Sequence, residues 1–273
     1  MDEDAIWGDL VSDPWVRHAE VIDGHSAPFG DAAMDALEPL VGASVIDVGC
    51  GVGGTTWQLG ERVGPEGRVL GVDRSTPFVA GARLRGSADH VSFVVGDAAT
   101  IERDPVDAVF SRMGVMFFAD PTAAFTHIRT FVRTGGSLAF ACWQDPFANP
   151  WMIVPVMASV PVLGPPQLPP PGEPGPFAFA ASDTITAILA DAGWSDVDVT
   201  GLSVEQPFPA GDARGCAEVM CQLNPVLVAG LRELPERGPE LLDVVTDALG
   251  EYERDGEVVL PAAAWIVHAR NLG

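Results

Sequence analysis

The stretch VIDVGCGVGGTT, residues 45–56, concentrates the residues most able to do chemistry. An apolar run breaks into glycines at 49, 51, 53 and 54 and then into two hydroxyls. Glycines here let the chain turn tightly and bring bare backbone up to a ligand without Cβ clashes. Gly49, Gly51 and Gly54 have the G-x-G-x-x-G spacing of a dinucleotide-binding turn. Asp47, Gly49, Gly51 and Gly53 also read as D-x-G-x-G-x-G, a loop for S-adenosylmethionine. Two further carboxylates belong to the same arrangement: Asp73, twenty residues beyond Gly53, and Asp97 in the triplet GDA. These twelve letters fit either cofactor.

The elements that must position these groups alternate regularly. ASVIDVGC, GRVLGVDRS, HVSFVVGDA, a segment within VDAVFSRMGVMFF, and SLAFACWQD read as five strands. TTWQLGERVG, TPFVAGARLRG with Pro77 near its start, and DPTAAFTHIRTFVRTGG with an Asp-Pro start and a Gly-Gly stop read as crossover helices. That alternation specifies a parallel, doubly wound α/β sheet. Residues 1–40 read as a helical cap, with a start at Asp13-Pro14 and helical spacing in DAAMDALEPL. Eleven prolines fall within residues 145–176, a composition that predicts a loop or lid without regular structure. SDTITAILADAGW resumes as a helix and SDVDVTGLSVEQPF as an extended segment, Asp212 to Tyr252 is helical, and EVVLPAAAWIVHARN is a final strand. The division expected is a cap over 1–40, a core over 41–145, a proline-rich lid over 146–180, core again over 181–211, a helical insertion over 212–254, and a last core strand over 255–273.

Composition removes several function classes. The chain has 273 residues, a net charge of −23 and no lysine; all fifteen basic residues are arginine. A surface this acidic repels phosphate polymers and anionic membranes, so neither nucleic acid nor membrane is an expected partner. Its acidity reads as salt adaptation or a compositional habit of the source genome. Without lysine there is no Schiff base, no P-loop lysine and no Tyr-x-x-x-Lys pair. The cysteines at 50, 142, 216 and 221 form no C-x-x-C pair and no ligand-spaced cluster with histidine, so reduced thiols and no metal are expected. No apolar run approaches the ~20 residues of a membrane-spanning helix. MDEDAIWGDL lacks the basic segment of a signal peptide, and a cytoplasmic location is expected.

Position separates the two cofactors. Asp47 ends an apolar strand where dinucleotide folds usually carry an apolar residue, and a carboxylate there can face the methionyl ammonium group, directly or through water. Asp73 can accept both ribose hydroxyls, which NAD and adenosylmethionine share. Asp97 and its small neighbours lie where adenine would sit, and Ser111-Arg112 end strand four at the carboxyl edge of the sheet, where ligands of open α/β folds bind.

In VIDVGCGVGG, GVDRS, GDA, DAVFSRMGVMFFADP and GGSLAFACW, taken in this order, the chain resembles the class I S-adenosylmethionine-dependent methyltransferases. It looks most like the bacterial group with a UbiE-like core called type 11, over nearly its whole length. FSRMGVMFFADP, NPW and LPAAAWIVHAR are similar to a small-molecule subgroup common in actinobacteria. The resemblance implies a Rossmann-like seven-stranded sheet of order 3-2-1-4-5-7-6 with one antiparallel strand. It also implies that Asp73 binds ribose, that Asp97 and Ala98 bracket adenine, and that Gly49 and Ser111 line the methionine end. Asp47, Cys50, Gly51, Gly53 and Arg74 complete the expected cofactor set, with Trp15 packing over the methionyl group or serving as a core residue.

For the acceptor, SRMG replaces the NPPY or DPPY of amino-methylating DNA enzymes, which argues against nucleobase amines. Ser111 offers no carboxylate ligand there for a metal-dependent catechol enzyme. His18 and His25 are the candidate general bases, or surface histidines; Asp145 is a candidate acid or base. Arg112, Met113, Trp143 and Trp151 are expected at the acceptor pocket, Arg112 pairing with an acidic acceptor or with a neighbouring carboxylate. His127, His268 and Tyr252 read as structural. Residues 1–30, the proline-rich segment and residues 212–252 are rich in apolar side chains, which either line a pocket for a hydrophobic small molecule or form their own core. The expected activity is O- or C-methylation of such a molecule by a monomer or homodimer, as in secondary metabolism. A non-methylating cyclase or pericyclase on the same fold is the alternative. A nicotinamide oxidoreductase is opposed by Asp47, by GDA and by the missing lysine.

Overall fold

The computed structural model describes residues 11–166, 170 and 172–273. The first ten residues of the expected cap, and residues 167–169 and 171 of the proline-rich stretch, lie outside the described residues. Strands β1 Ser44–Val48, β2 Arg68–Asp73, β3 Val91–Val95, β4 Val106–Arg112, β5 Val132–Trp143, β6 Ser195–Pro207, β7 Glu253–Arg254 and β8 Glu257–Arg270 form one sheet of order β3-β2-β1-β4-β5-β8-β6, with β7 paired to β8. The first five strands are parallel, and β8 runs antiparallel to β5 from Ser137↔Arg270 to Trp143↔Ala264. This is the expected order, with the long last strand between β5 and β6 and one short strand added.

The crossover helices start where local chemistry supplies caps. Ser75 accepts from the Phe78 amide at 3.4 Å ahead of the helix Thr76–Leu84. Asp120 accepts from the Ala123 amide at 2.9 Å ahead of Pro121–Phe131. Each has proline in its first turn, where a missing N–H costs nothing. Central strands β1, β4 and β5 bury Ile46, Val109, Phe110, Leu138 and Phe140 almost completely, as strands covered on both faces must.

Three expectations need correction. The proline-rich segment is not without regular structure: Pro150–Leu163 is a helix containing Pro155 and Pro161. Pro150 occupies its first turn, and Pro155 and Val156 are buried, so apolar burial offsets the backbone hydrogen bonds that interior prolines remove. The helix after β4 does not run to the Gly-Gly pair: it ends at Phe131, and residues 132–136 already belong to β5. Finally, Glu253–Arg254, at the end of the expected helical insertion over 212–254, is a strand. Asp255 and Gly256 both have positive φ (55° and 83°), the pattern of a type I′ turn, and they join β7 to β8.

The chain separates into two compact units. Among the described residues the sheet unit comprises Ser26–Gln144, 172–202 and Ala264–Gly273; the helical unit comprises 11–25, 145–166 with Pro170, and Ser203–Ala263. Of the expected cap and lid, residues 26–40 and 172–180 belong with the sheet. In the helical unit, Ala213–Leu223, Pro225–Glu233 and Gly238–Gly250 bury Cys216, Met220, Leu227, Leu241, Val245 and Leu249 in one core.

Candidate functional site

The glycine loop lies at the carboxyl end of β1, in the sheet unit, and its glycines serve two purposes. Gly49 has φ +67°, and a Cβ on it would lie 2.8 Å from the Gly114 Cα; the loop after β1 and the turn after β4 meet there backbone to backbone. Gly51 has φ +53°, and a Cβ there would meet none of the described residues within 4 Å. Gly49 is thus required by the fold, whereas Gly51 presents bare backbone to open space, the form a ligand cradle takes. Gly53 caps the helix Gly54–Val63 and packs against Ala82 and Phe93. The Gly49 and Cys50 amides share the Val72 carbonyl at 2.9 and 3.1 Å, which ties the loop to β2.

Two carboxylates hold this loop. Asp73, at the end of β2, accepts from the Gly51 amide through Oδ2 and from the Ser75 amide through Oδ1, both at 2.8 Å. Burial raises its pKa, and the two backbone donors and Arg74 oppose the rise. Asp47 is fully buried; its Oδ2 accepts from the Thr55 and Thr56 hydroxyls at 2.7 Å each, and its Oδ1 has no hydrogen-bond partner among the described residues. Desolvation pushes its pKa up to about 6, against the threonine hydroxyls and the Arg112 charge, with Asp73 adding to the rise. The same burial, with the charges of Asp47 and Asp73, keeps the Cys50 thiol protonated.

The remaining expected residues of this unit lie along the same sheet edge. Asp97 follows β3 and folds its carboxylate onto the Ala99 amide at 2.9 Å, beside buried Ala98. Arg74 is exposed after β2. Ser111 is fully buried: its hydroxyl donates to the Val48 carbonyl at 2.8 Å and accepts from the Gly114 amide at 3.3 Å, locking the ends of β1 and β4 together. Arg112 ends β4, with its stem beside Gly30. Met113 follows at φ 60°, a left-handed conformation rare outside glycine, and its amide donates to the Ala141 carbonyl at 2.9 Å. Trp143 is buried at the end of β5, edge-on to Phe29 with ring centroids 5.3 Å apart.

The other candidates belong to the helical unit. The Trp15 indole donates to the Leu223 carbonyl at 3.0 Å, and His18 Nε2 lies 3.4 Å from Gln222 Oε1. His25 is buried between Trp151 and Phe208, centroids 4.5 and 5.0 Å away, and desolvation lowers its pKa to about 4. Asp145 is exposed and caps a turn by accepting from the Phe147 amide at 2.8 Å. A shallow depression of about 230 Å³ in this unit is lined by Ile153, Val154, Met157, Ala158, Glu251 and Tyr252 among others, and includes none of the expected acceptor residues. His127 accordingly bonds the Ile101 carbonyl at 2.8 Å, a structural role.

Four residues of consequence escaped the sequence reading. Thr55 and Thr56 directly follow the glycines, and Gly114 lies inside SRMG, yet spacing alone gave them no role. Asn149, from NPW, is fully buried and pairs with both backbone groups of Ala263: Nδ2 donates to its carbonyl and Oδ1 accepts from its amide, each at 3.0 Å. An asparagine preceding proline was the available signal, since such a residue is held out of the helix.

Comparison with known proteins agrees with this geometry. Residues 46–140 match the family model of a methyltransferase domain, Methyltransf_11. The aklanonic acid methyltransferase DauC of Streptomyces sp. (strain C5) is 30% identical over 118 residues, 41% of this chain and 54% of that protein. A nocamycin O-methyltransferase of Saccharothrix syringae is 28% identical over 202 residues, 68% of this chain and 71% of that one. The chain spans 33% and 54% of the length of the first two curated relatives it matches. Among solved structures, a Haemonchus contortus phosphoethanolamine N-methyltransferase 2 with bound S-adenosylhomocysteine superposes with a TM-score of 0.54 at 19% identity, covering 89% of this chain and 52% of that one. The [4+2]-cyclase SpnF superposes at 0.55 and 18% identity, covering 90% and 81%.

The residues present fit S-adenosylmethionine, the cofactor of this family. Backbone at Gly51 is open, Asp73 stands at the end of β2, and the unpartnered Asp47 Oδ1 suits a cationic donor. Residues 46–140 thus match a methyltransferase-domain model, and the sheet that carries them has the fold of the solved methyltransferase it superposes on.

Proposed function

We propose that the whole chain is an S-adenosylmethionine-dependent methyltransferase acting at oxygen or carbon of a hydrophobic small molecule. What carries the reading is the open backbone at Gly51, held by Asp73 beside a buried carboxylate with a free oxygen, inside a methyltransferase domain. When bound, S-adenosylmethionine supplies an electrophilic methyl group on a sulfonium. In this reading the protein's work is positioning and exclusion of water. Asp73 holds the ribose while keeping Gly51 in place, Asp97 and Ala98 flank the adenine, and Asp47 meets the methionyl ammonium. An acceptor hydroxyl or carbon acid must also lose its proton. Of the expected bases, His18 keeps a partner able to orient its ring, Gln222; His25 is sealed among aromatic rings and Asp145 is occupied in its turn.

The acceptor class rests on the named relatives, whose acceptors are aklanonic acid and nocamycin-type small molecules, and on the apolar composition of the helical unit. Formation of S-adenosylhomocysteine when the protein is incubated with S-adenosylmethionine and a panel of hydrophobic hydroxylated acceptors tests the reading. A second reading is favoured by one observation, the fold shared with a [4+2]-cyclase. Turnover of an acceptor without formation of S-adenosylhomocysteine would select it.

A further inference from the structure

The Asp47 side chain is asymmetrically satisfied. Thr55 and Thr56, adjacent residues in the first turn of Gly54–Val63, both donate to Oδ2 at 2.7 Å. Both distances are those of well-formed O–H···O bonds. The opposite oxygen, Oδ1, is equally buried and has no partner among the described residues. A buried acceptor left unpaired is costly, and a carboxylate more so, so an arrangement that satisfies one oxygen twice and the other not at all needs a reason. With Oδ2 taken up by two hydroxyl protons, a proton on Asp47 falls to Oδ1, where nothing accepts it. The anion, by contrast, keeps the buried Oδ1 as an acceptor for a donor that enters the loop with the ligand.

We propose that Thr55 and Thr56 are positioning residues for cofactor capture: by gripping one oxygen of Asp47 they hold the other out, as an anion, for the methionyl ammonium group or a water bound to it. This inference rests on the proposed function. Three features support it. β-Branched threonines have few rotamers, so both hydroxyls are pre-set. Asp47 meets the N-terminal turn of a ten-residue helix, whose dipole favours negative charge. Finally, the charged and titratable groups around Asp47 are Arg112 from β4, Asp73 from β2 and Cys50 from the loop. Arg112 favours the anion, Asp73 opposes it, and Cys50 stays a neutral thiol. The hydroxyls tip this balance.

A cation that binds only ionised Asp47 releases a proton wherever the unliganded carboxyl is protonated. Affinity therefore falls about tenfold per pH unit below the carboxyl's own titration and is flat above it. The test is calorimetric titration of S-adenosylmethionine into the whole protein between pH 5 and 8, for wild type, the single variants Thr55→Val and Thr56→Val, the double variant, and the double serine variant. Valine keeps the shape and deletes the donor. We expect the wild-type affinity to break near pH 6, and the break to move up by about one pH unit or more in the double valine variant, since two bonds favouring the charged form are gone. For a one-unit rise, affinity then falls about tenfold at pH 5 but only about twofold at pH 7, and serine restores both values. If the double variant does not fold, the single variants show the same displacement in part. A break that stays put in every folded valine variant, or a loss of affinity equal at every pH, overturns the inference and leaves the threonines as packing. Wild-type protein that binds no S-adenosylmethionine at any pH defeats the proposed function instead.

Discussion

Gly51→Ala separates the ligand-facing part of the loop from the part that holds the fold together. The native φ of +53° costs an alanine about 1–2 kcal/mol. No described residue lies within 4 Å of the new Cβ, so no clash with them adds to that figure, and the Gly51 amide keeps its bond to Asp73. For a domain of this size the unliganded Tm should drop by a few degrees. The added methyl group then stands in the space assigned to the cofactor, and overpacking of that kind costs about 1–3 kcal/mol, roughly 5- to 150-fold in Kd. Gly49→Ala is the contrast: its Cβ would sit 2.8 Å from the Gly114 Cα, backbone against backbone, so the penalty falls on folding and exceeds ~3 kcal/mol. Thermal unfolding and calorimetric titration with S-adenosylhomocysteine measure both effects on the same samples. The reasoning is refuted if Gly51→Ala folds and binds with the wild-type Kd, because the open space at Gly51 would then not be the ligand's.

Other outcomes follow from the same geometry. Ser111→Ala removes the bridge between the Val48 carbonyl and the Gly114 amide and should lower stability by about 1–3 kcal/mol, read as a fall in Tm. Asn149→Asp keeps the shape but sets a carboxylate oxygen against the Ala263 carbonyl; it should destabilise by about 3 kcal/mol at pH 7, and less at low pH where the acid can donate. Asp47 has a folded pKa near 6 against 3.8, so the folded state binds a proton more tightly and stability declines as pH rises from about 4 to 6, by an amount of order 3 kcal/mol. Asp47→Asn should therefore raise the unliganded Tm at pH 8, lose that advantage at pH 4, and weaken cofactor binding; a lower Tm at pH 8 contradicts the buried-charge account.

The sheet unit was legible because its signals are local and agree with one another. Apolar runs of strand length alternate with helical spacing, and capping residues with proline mark the helix starts, so order and direction follow from a few topological rules. In the helical unit, reading failed where tertiary burial overrode propensity. Pro155 and Pro161 argue against a helix, yet the segment between Asn149 and Gly164 packs an apolar surface into the helical unit and stays helical. In the site, Asp47, Gly51 and Asp73 were identifiable from spacing. The Gly49–Gly114 approach was not, because it joins two loops far apart in sequence. Nor could spacing reveal that Thr55 and Thr56 share one oxygen of Asp47, since that depends on rotamers. The apolar insertion had two readings, and much of it forms a core of its own, with Cys216, Leu227 and Leu249 fully buried.

The most direct measurement is calorimetric titration of the purified protein with S-adenosylmethionine and then S-adenosylhomocysteine. Saturable one-to-one binding of both is the result this account predicts. Absence of binding by either, from protein with an intact thermal transition, would contradict it, and NADH would be the next ligand to titrate.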